Sequence, residues 1–391
     1  MPPAADATQS RQAAQQLSAL TGVRGLLCLW VWFLHIGLIG AEHFAWDLDA
    51  RFGSIAVDIM MHGYLAVDMF FILSGFVLLH VYQDRLHSWK QRCQFWRARF
   101  ARVYPLHLVT LSVVLAAYLG GLIPGVPVFP PLESGALVPD NQLLPSFLKN
   151  LLLVQSWNWW PHATWMGVAW SISAEAFMYL CFPLVLLVIN RLRATAAVTT
   201  MLLMPMILMT VCIMIPVQVS FTTQLAAFSK ADLTPHVEHI SPAAMEFGLL
   251  RVTAGFIAGC CAYRCYSSSL YARIPWQVVG PICATSIIAL LLGEQVLYVY
   301  PLLPVLILSL AAPGNILTRI CSSQPLVWIG DRSYAVYMCH AFLLPVFAVL
   351  PGSSITMTWF NVVLATALLL AVCHVIYHLI EMPARRWLRG S

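Results

Sequence analysis

Charge is scarce in this chain. Only 9% of its 391 residues are Asp, Glu, Lys or Arg against 60% hydrophobic, too little polar surface to cover a water-soluble globule. Strict apolar–polar alternation is also missing, which excludes a barrel of membrane strands. There is no CxxC pair and no HExxH pattern, and the eleven cysteines are scattered through apolar stretches. They read as small buried hydrophobes, which excludes a disulfide framework and a zinc site. No internal repeat, no long Pro/Gly/Ser linker and no appended soluble domain is found.

What is present instead is a series of apolar runs about twenty residues long, the length a membrane helix needs. Ten are read, with cores at 19–40, 62–82, 104–123, 165–189, 196–217, 244–266, 276–293, 295–311, 326–349 and 360–381. The expected fold is therefore all-α, a polytopic integral membrane protein. The seventh and eighth runs are separated by Gly293 and Glu294 and read as a tight hairpin or a shorter pair. Leu143 to Trp160 is apolar but short and Pro-flanked, and reads as an interfacial or re-entrant segment. Residues 1–17 are expected to be a disordered cytoplasmic tail, 18–384 one transmembrane domain and 385–391 a basic cytoplasmic tail. The first run has no small-residue cleavage site and reads as a retained span.

Charge then orients the spans. With the N-terminus in the cytoplasm, Arg85, Lys90, Arg92, Arg97, Arg99, Arg102, Arg191, Arg193, Arg264, Arg273, Arg319, Arg385, Arg386 and Arg389 share one side, as the positive-inside rule requires. The opposite connections hold Glu42, Asp47, Asp49, Asp58, Glu133, Asp140, Asp232, Glu238 and Glu294. Both termini are thus expected in the cytoplasm, the protein in the inner (cytoplasmic) membrane. The net charge of +5 is mostly topology and implies no nucleic-acid partner.

Against this apolar background the ionisable residues inside spans stand out, because each is costly there and is a functional hypothesis by default. Arg24 and His35 lie eleven residues apart in the first run. On a helix that spacing returns to within roughly 20° of the same azimuth and about 16 Å further along. A cation and a base therefore share one face. Asp68, in the second run, needs a partner such as Arg24, His35 or another span's donor. Beside His35 it would orient the imidazole as an acid orients a catalytic base; the plainer reading is a structural ion pair between helices. Ser74, two turns on, is weaker, since a membrane Ser most often bonds to its own helix.

Arg99 and Arg102 lie three apart in an aromatic, basic stretch ending at Tyr104-Pro105. Their forked guanidinium groups suit phosphate oxygens, with a positive-inside anchor as the alternative. In the fourth run Trp170 precedes Glu175 and Tyr179, the last two one turn apart. Tyr337 and His340 lie in the ninth, where a lone His is more often a satisfied core residue. In the last run His374, His378 and Glu381 share a face at i, i+4 and i+7, a spacing a divalent metal could use. No third strong ligand cluster accompanies them, and no metal is expected. Glu381-Met-Pro383 is expected to end the span, with its carboxylate on a cytoplasmic-side Arg.

In this order the motifs resemble the bacterial acyltransferase 3 family of membrane-bound O-acyltransferases. The resemblance rests on Leu20-Thr-Gly-Val-Arg24-Gly with His35, Val67-Asp68-Met-Phe70-Phe71-Ile-Leu-Ser74-Gly75-Phe76, and Arg99 and Arg102 before Tyr104-Pro105. It continues in Trp170-Ser171-Ile-Ser173-Ala-Glu175 with Tyr179 and Pro183, Gly330 and Ser333-Tyr334 with Tyr337 and His340, and Glu381-Met-Pro383. It implies transfer of an acyl group, usually acetyl from acetyl-CoA, onto a hydroxyl of a carbohydrate, glycolipid or glycosylated small molecule. The family's Arg and His pair maps to Arg24 and His35, and its Arg-x-x-Arg to Arg99 and Arg102. Some members carry a fused extracytoplasmic hydrolase-like domain. This chain reaches Ser391 without one, which leaves open a partner protein on the outer face.

Thioester acyl transfer needs a base for the acceptor proton, donors for the oxyanion and cations for an anionic carrier. His35, Asp68 and Glu175 form the expected catalytic set, and Arg24, Arg99 and Arg102 the expected acyl-CoA contacts. Ser74, Trp170, Tyr179, Tyr337, His340 and Glu381 are expected substrate-facing or structural polar positions. Whether His35 deprotonates the acceptor or is itself acylated stays open. A transporter of a small charged or sugar-like solute is the alternative, and would show broken helices in two related halves. A metal-dependent hydrolase on His374, His378 and Glu381 is a third reading. The charge sorting is tested by reporter fusions after Arg389 and within 42–58, which should report opposite sides of the membrane; matching sides would overturn the ten-span topology.

Overall fold

The computed structural model describes residues 4–44, 48–120, 143–157, 165–214, 247–349 and 359–389. Among them every regular element is helical. Among the described residues five helices are long and apolar enough to cross a membrane: Ser18–Leu38, Ser54–Tyr82, Trp89–Leu119, Gly167–Ile189 and Asn361–Trp387. Shorter apolar helices cover Ala194–Ile207, Trp276–Leu292, Val296–Leu310 and Ser333–Leu344. The chain is a multi-pass membrane protein. The outward acidic positions Glu133, Asp140, Asp232 and Glu238, and the end of the expected interfacial segment at Trp160, lie outside the described residues.

In chain order the helices are α1 (Ala4–Phe44), α2 (Leu48–Phe52), α3 (Ser54–Met61), α4 (Leu65–Tyr82), α5 (Trp89–Leu119), α6 (Leu143–Leu151), α7 (Trp170–Ile189) and α8 (Ala194–Met214). There follow α9 (Gly248–Tyr266), α10 (Trp276–Leu292), α11 (Leu302–Leu310), α12 (Ile316–Cys321), α13 (Gln324–Asp331), α14 (Ser333–Val349), α15 (Trp359–Ile376) and α16 (Met382–Arg389).

Several boundaries differ from the sequence reading for local reasons. The third span begins at Trp89 and not near 104, because Ser88 makes a capping box: its Oγ accepts from Gln91 N and its own N–H donates to the Gln91 side chain. Two otherwise orphaned N–H groups are thereby satisfied, and Arg99 and Arg102 sit on the same continuous helix that enters the bilayer. The expected run 326–349 divides at Arg332, whose Nη1 donates to Trp328 O at 2.7 Å and whose Nε donates to His374 Nδ1 at 2.9 Å. The expected hairpin at Gly293 and Glu294 is present. Glu294 has φ 59°, and the N–H groups of Gln295 and Glu294 close onto Leu290 O and Leu291 O, the bonding of a Schellman cap. A short π-helical turn, Tyr377–Glu381, links α15 to α16.

Between membrane helices no hydrophobic force operates, so contact depends on close backbone approach and polar glue. Helices α4 and α9 have both. A Cβ on Gly75 would stand 2.0 Å from Phe256 O, and one on Gly259 would stand 1.9 Å from Ile72 O. Only hydrogen fits at either place. One to two turns away along this interface Asp68 accepts from Arg251, Nε to Oδ1 at 3.1 Å and Nη2 to Oδ2 at 2.8 Å. The Arg251 guanidinium also lies 5.3 Å from the Trp170 ring centroid. Helix α1 packs on α13 in the same manner, with Gly330 seated on Thr21 O, and Trp32 Nε1 ties α1 to Thr366 of α15 at 2.9 Å.

The ion pair predicts a non-additive mutant series. Arg251→Met leaves a buried carboxylate without its cation and should cost about 3–5 kcal/mol, whereas Asp68→Leu with Arg251→Met should recover most of that loss. Thermal unfolding of the detergent-solubilised protein checks it; additive losses would show that the two charges do not depend on one another.

Candidate active site

Between α1, α4, α5, α7 and α14 lies a cavity of about 210 Å³. Its walls are mostly apolar, from Val67, Phe70 and Phe71 at one part to Leu78 and Val103 at another. Into it project Arg24 from α1, Ser74 from α4, Arg99 and Arg102 from α5, Glu175 and Tyr179 from α7, and Tyr337 from α14. Seven residues singled out in the sequence, from five helices, thus meet in one place.

Arg99 is held by aromatic faces: its Cζ lies 5.8 Å from the Tyr82 ring centroid, 6.0 Å from Phe95 and 5.9 Å from Tyr179. Such a cage fixes the guanidinium plane through cation–π attraction and leaves N–H groups to spend elsewhere. The Nε atoms of Arg24 and Arg99 are buried and make no hydrogen bond. Three guanidinium groups face one carboxylate, Glu175, so the cavity carries an excess of positive charge in an apolar wall, where Coulomb attraction for an anion is strong.

Tyrosines from α14 close the far wall. Tyr334 OH donates to Val103 O at 2.6 Å, Tyr337 OH to Val168 O at 3.1 Å, and Ser171 Oγ lies 2.7 Å from Tyr337 OH. Behind Tyr337 comes His340, ring centroids 5.7 Å apart, and against His340 lies His35, centroids 4.7 Å apart. Arg24 and His35 therefore do not line one wall as the helix geometry alone implied. Arg24 lines the cavity, and His35 lies one layer beyond it, past Tyr337 and His340.

Asp68 also departs from the expectation of an acid orienting His35. Both its oxygens are engaged by Arg251, and the His35 Nδ1 bonds Val31 O at 2.8 Å instead. Trp170 stands outside the cavity, against Phe71 and Arg251. Glu381 does meet a basic residue as expected: its Oε2 accepts from Arg385 Nη2 at 2.5 Å. His374 and Glu381 have separate partners, Arg332 and Arg385. Among the described residues no group of three His, Cys, Asp or Glu could hold a metal ion. Arg251 and Arg332 were missed in the sequence, and Ser171 was quoted only within the Trp170–Glu175 motif, with no role given. Arg251 had a signal, since a charge inside an apolar run requires a counter-charge and Asp68 was seeking one.

The family model described as an acyltransferase domain, that of acyltransferase 3, matches residues 17–378. The chain belongs to this acyltransferase family. Acyltransferase MdmB of Streptomyces mycarofaciens is 37% identical over 171 residues, 43% of this chain and 39% of the relative. Peptidoglycan O-acetyltransferase OatA of Listeria monocytogenes is 24% identical over 368 residues, 83% of this chain and 51% of the relative. Protein 2 in the picA locus of Rhizobium radiobacter is 32% identical over 146 residues, 37% and 68%. The chain spans 51% of the O-acetyltransferase and a smaller share of MdmB. No solved structure matches. Membership of an acyltransferase family sets aside the transporter reading.

Proposed function

We propose that this membrane acyltransferase moves an acyl group, acetyl foremost, from acyl-CoA to a hydroxyl of a carbohydrate or glycosylated acceptor. The observation that carries the reading is the cavity in which Arg24, Arg99 and Arg102 outnumber Glu175. A nucleotide-bearing thioester is an anion with a long, thin, mostly neutral arm, and a basic apolar slot suits it. The sugar acceptor is supported by the relative named as a peptidoglycan O-acetyltransferase.

The chemistry then divides along α1. Arginines near the basic side hold the phosphates, and the arm runs past Ser74 and Tyr337 toward His35. There the acceptor oxygen attacks the thioester carbonyl carbon as His35 takes its proton, the C–S bond breaks and the thiolate leaves. Glu175, facing Tyr179 one turn away, sets the local charge balance of the arginines. In the ten-span arrangement, with both termini in the cytoplasm, donor arrives from inside and acceptor from outside. The acyl group crosses the inner membrane while its carrier stays behind.

Sealed vesicles of known orientation test this. Acyl-CoA on the cytoplasmic side alone should acylate an impermeant oligosaccharide on the outer side alone, and His35→Ala, inserted normally, should lose roughly 10²–10⁴-fold in rate. Transfer seen only with both substrates on the cytoplasmic side would rule the geometry out. A separate test concerns the caged arginine: Arg99→Lys keeps the charge but loses the planar fork, so CoA affinity should fall about tenfold while topology is unchanged. Unaltered CoA binding by calorimetry would reduce Arg99 to an orienting charge.

A further inference from the structure

His340 is a titratable side chain that the proposed reaction has not used. It is 1% exposed, and its Nδ1 lies 2.6 Å from Tyr337 O. A carbonyl oxygen only accepts, so Nδ1 carries the hydrogen and Nε2 presents a bare lone pair. That Nε2 is buried and has no hydrogen-bond partner. His35 is built alike: its Nδ1 lies 2.8 Å from Val31 O, so its Nε2 is also an unprotonated base.

The two rings meet edge to face, centroids 4.7 Å apart at 64°. Imidazoles joined by one N–H···N bond have centroids about 5 Å apart, so a ring rotation brings this pair into that contact. The other charged or titratable groups around α14 are committed elsewhere. From α15, Cys373 pairs with Cys339. Arg332, just before α14, is turned onto His374. Arg102 of α5 and Glu175 of α7 line the cavity beyond Tyr337, and Arg24 of α1 lies there with them. Asp68 is held by Arg251. Among the described residues no carboxylate bonds either imidazole, and beyond the Tyr337 and Val31 carbonyls on their own helices the two rings face each other.

We infer that His35 and His340 work as one paired base, His35 taking the acceptor's proton and the Nε2 lone pair of His340 accepting a hydrogen bond from the resulting imidazolium. The inference rests on the acyl-transfer reading above and extends it to a positioning residue on another helix. The acceptor O–H gives its proton to His35 Nε2 as the new C–O bond forms. The Nε2–H of His35 then turns onto His340 Nε2, and the proton leaves to the sulfur of the departing thiolate as the C–S bond breaks. The positive charge appears in an apolar layer where, among the described residues, no carboxylate bonds it, and the second imidazole supplies the hydrogen-bond acceptor.

The test compares wild type, His35→Ala, His340→Phe and His340→Gln in the purified full chain with acyl-CoA and an oligosaccharide. Phe keeps the ring packing and removes the nitrogen. Its kcat should fall at least tenfold with KM for acyl-CoA within twofold, and the acidic limb of its pH–rate profile should move to lower pH. Gln, which restores an acceptor, should regain part of the kcat. A dead His35→Ala beside a His340→Phe with wild-type kcat and pH profile would overturn the pairing alone, whereas an active His35→Ala would remove the base reading beneath it. Should the Phe variant fail to fold, a ¹⁵N-histidine titration of the wild type decides. Both Nε2 signals moving together with one proton supports the pair, and His35 moving by itself overturns it.

Discussion

An unpaired charge is the hardest thing to place in an apolar bundle, and where this chain leaves charges unpaired fixes where its site is. Arg251 is closed on Asp68 and Arg385 on Glu381, and Arg332 is closed on His374, Trp328 and Tyr377. Each of these guanidinium groups has a polar side-chain partner. Arg24, Arg99 and Arg102 are different. They meet around one cavity with a single carboxylate, and two of them keep a buried N–H without an acceptor. In the proposed reaction an anionic donor would complete what the protein alone leaves open.

Holding three cations at one cavity needs a stiff frame, and the glycine contacts supply it. Gly75 and Gly259 let α4 and α9 touch backbone to backbone, and Gly330 does the same for α13 under α1. They hold the helices from which Ser74 and Arg24 project, while the Tyr334 and Tyr337 hydroxyls pin α14 to the chain on the opposite wall. A binding site on packed helices with pinned rotamers is more precise than one on loops.

Much of this was legible in the sequence. Helical type followed from run length; the rule that ionisable groups in spans are functional singled out Arg24 and Glu175, and the paired forks of the basic, aromatic stretch before the third run singled out Arg99 and Arg102. What could not be read was pairing across helices. Asp68 had three conceivable partners within the chain's apolar runs, and only the register of α4 on α9, set by Gly75 and Gly259, hands it to Arg251. The face shared by Arg24 and His35 was right in azimuth, yet azimuth says nothing of what another helix inserts. Tyr337, from a span more than three hundred residues later, separates the two. The Trp89 start of α5 was legible in principle, since Ser88 and Gln91 spell a capping box, but the hydropathy of the basic stretch hid it.

The separation of Arg24 from His35 has a chemical consequence. If cation and base shared one wall, the positive field of three arginines would act directly on the imidazole and disfavour its protonation, the event a base must undergo. In the proposed reaction, setting His35 one layer back, with Tyr337 and His340 between, would weaken that opposition. In the same layer Tyr337 is bonded by Ser171 and Val168 and His340 is nearly fully buried. Phosphate binding and proton transfer ask for opposite electrostatic surroundings, and the proposed reaction would meet both by placing them at different depths of one long helix.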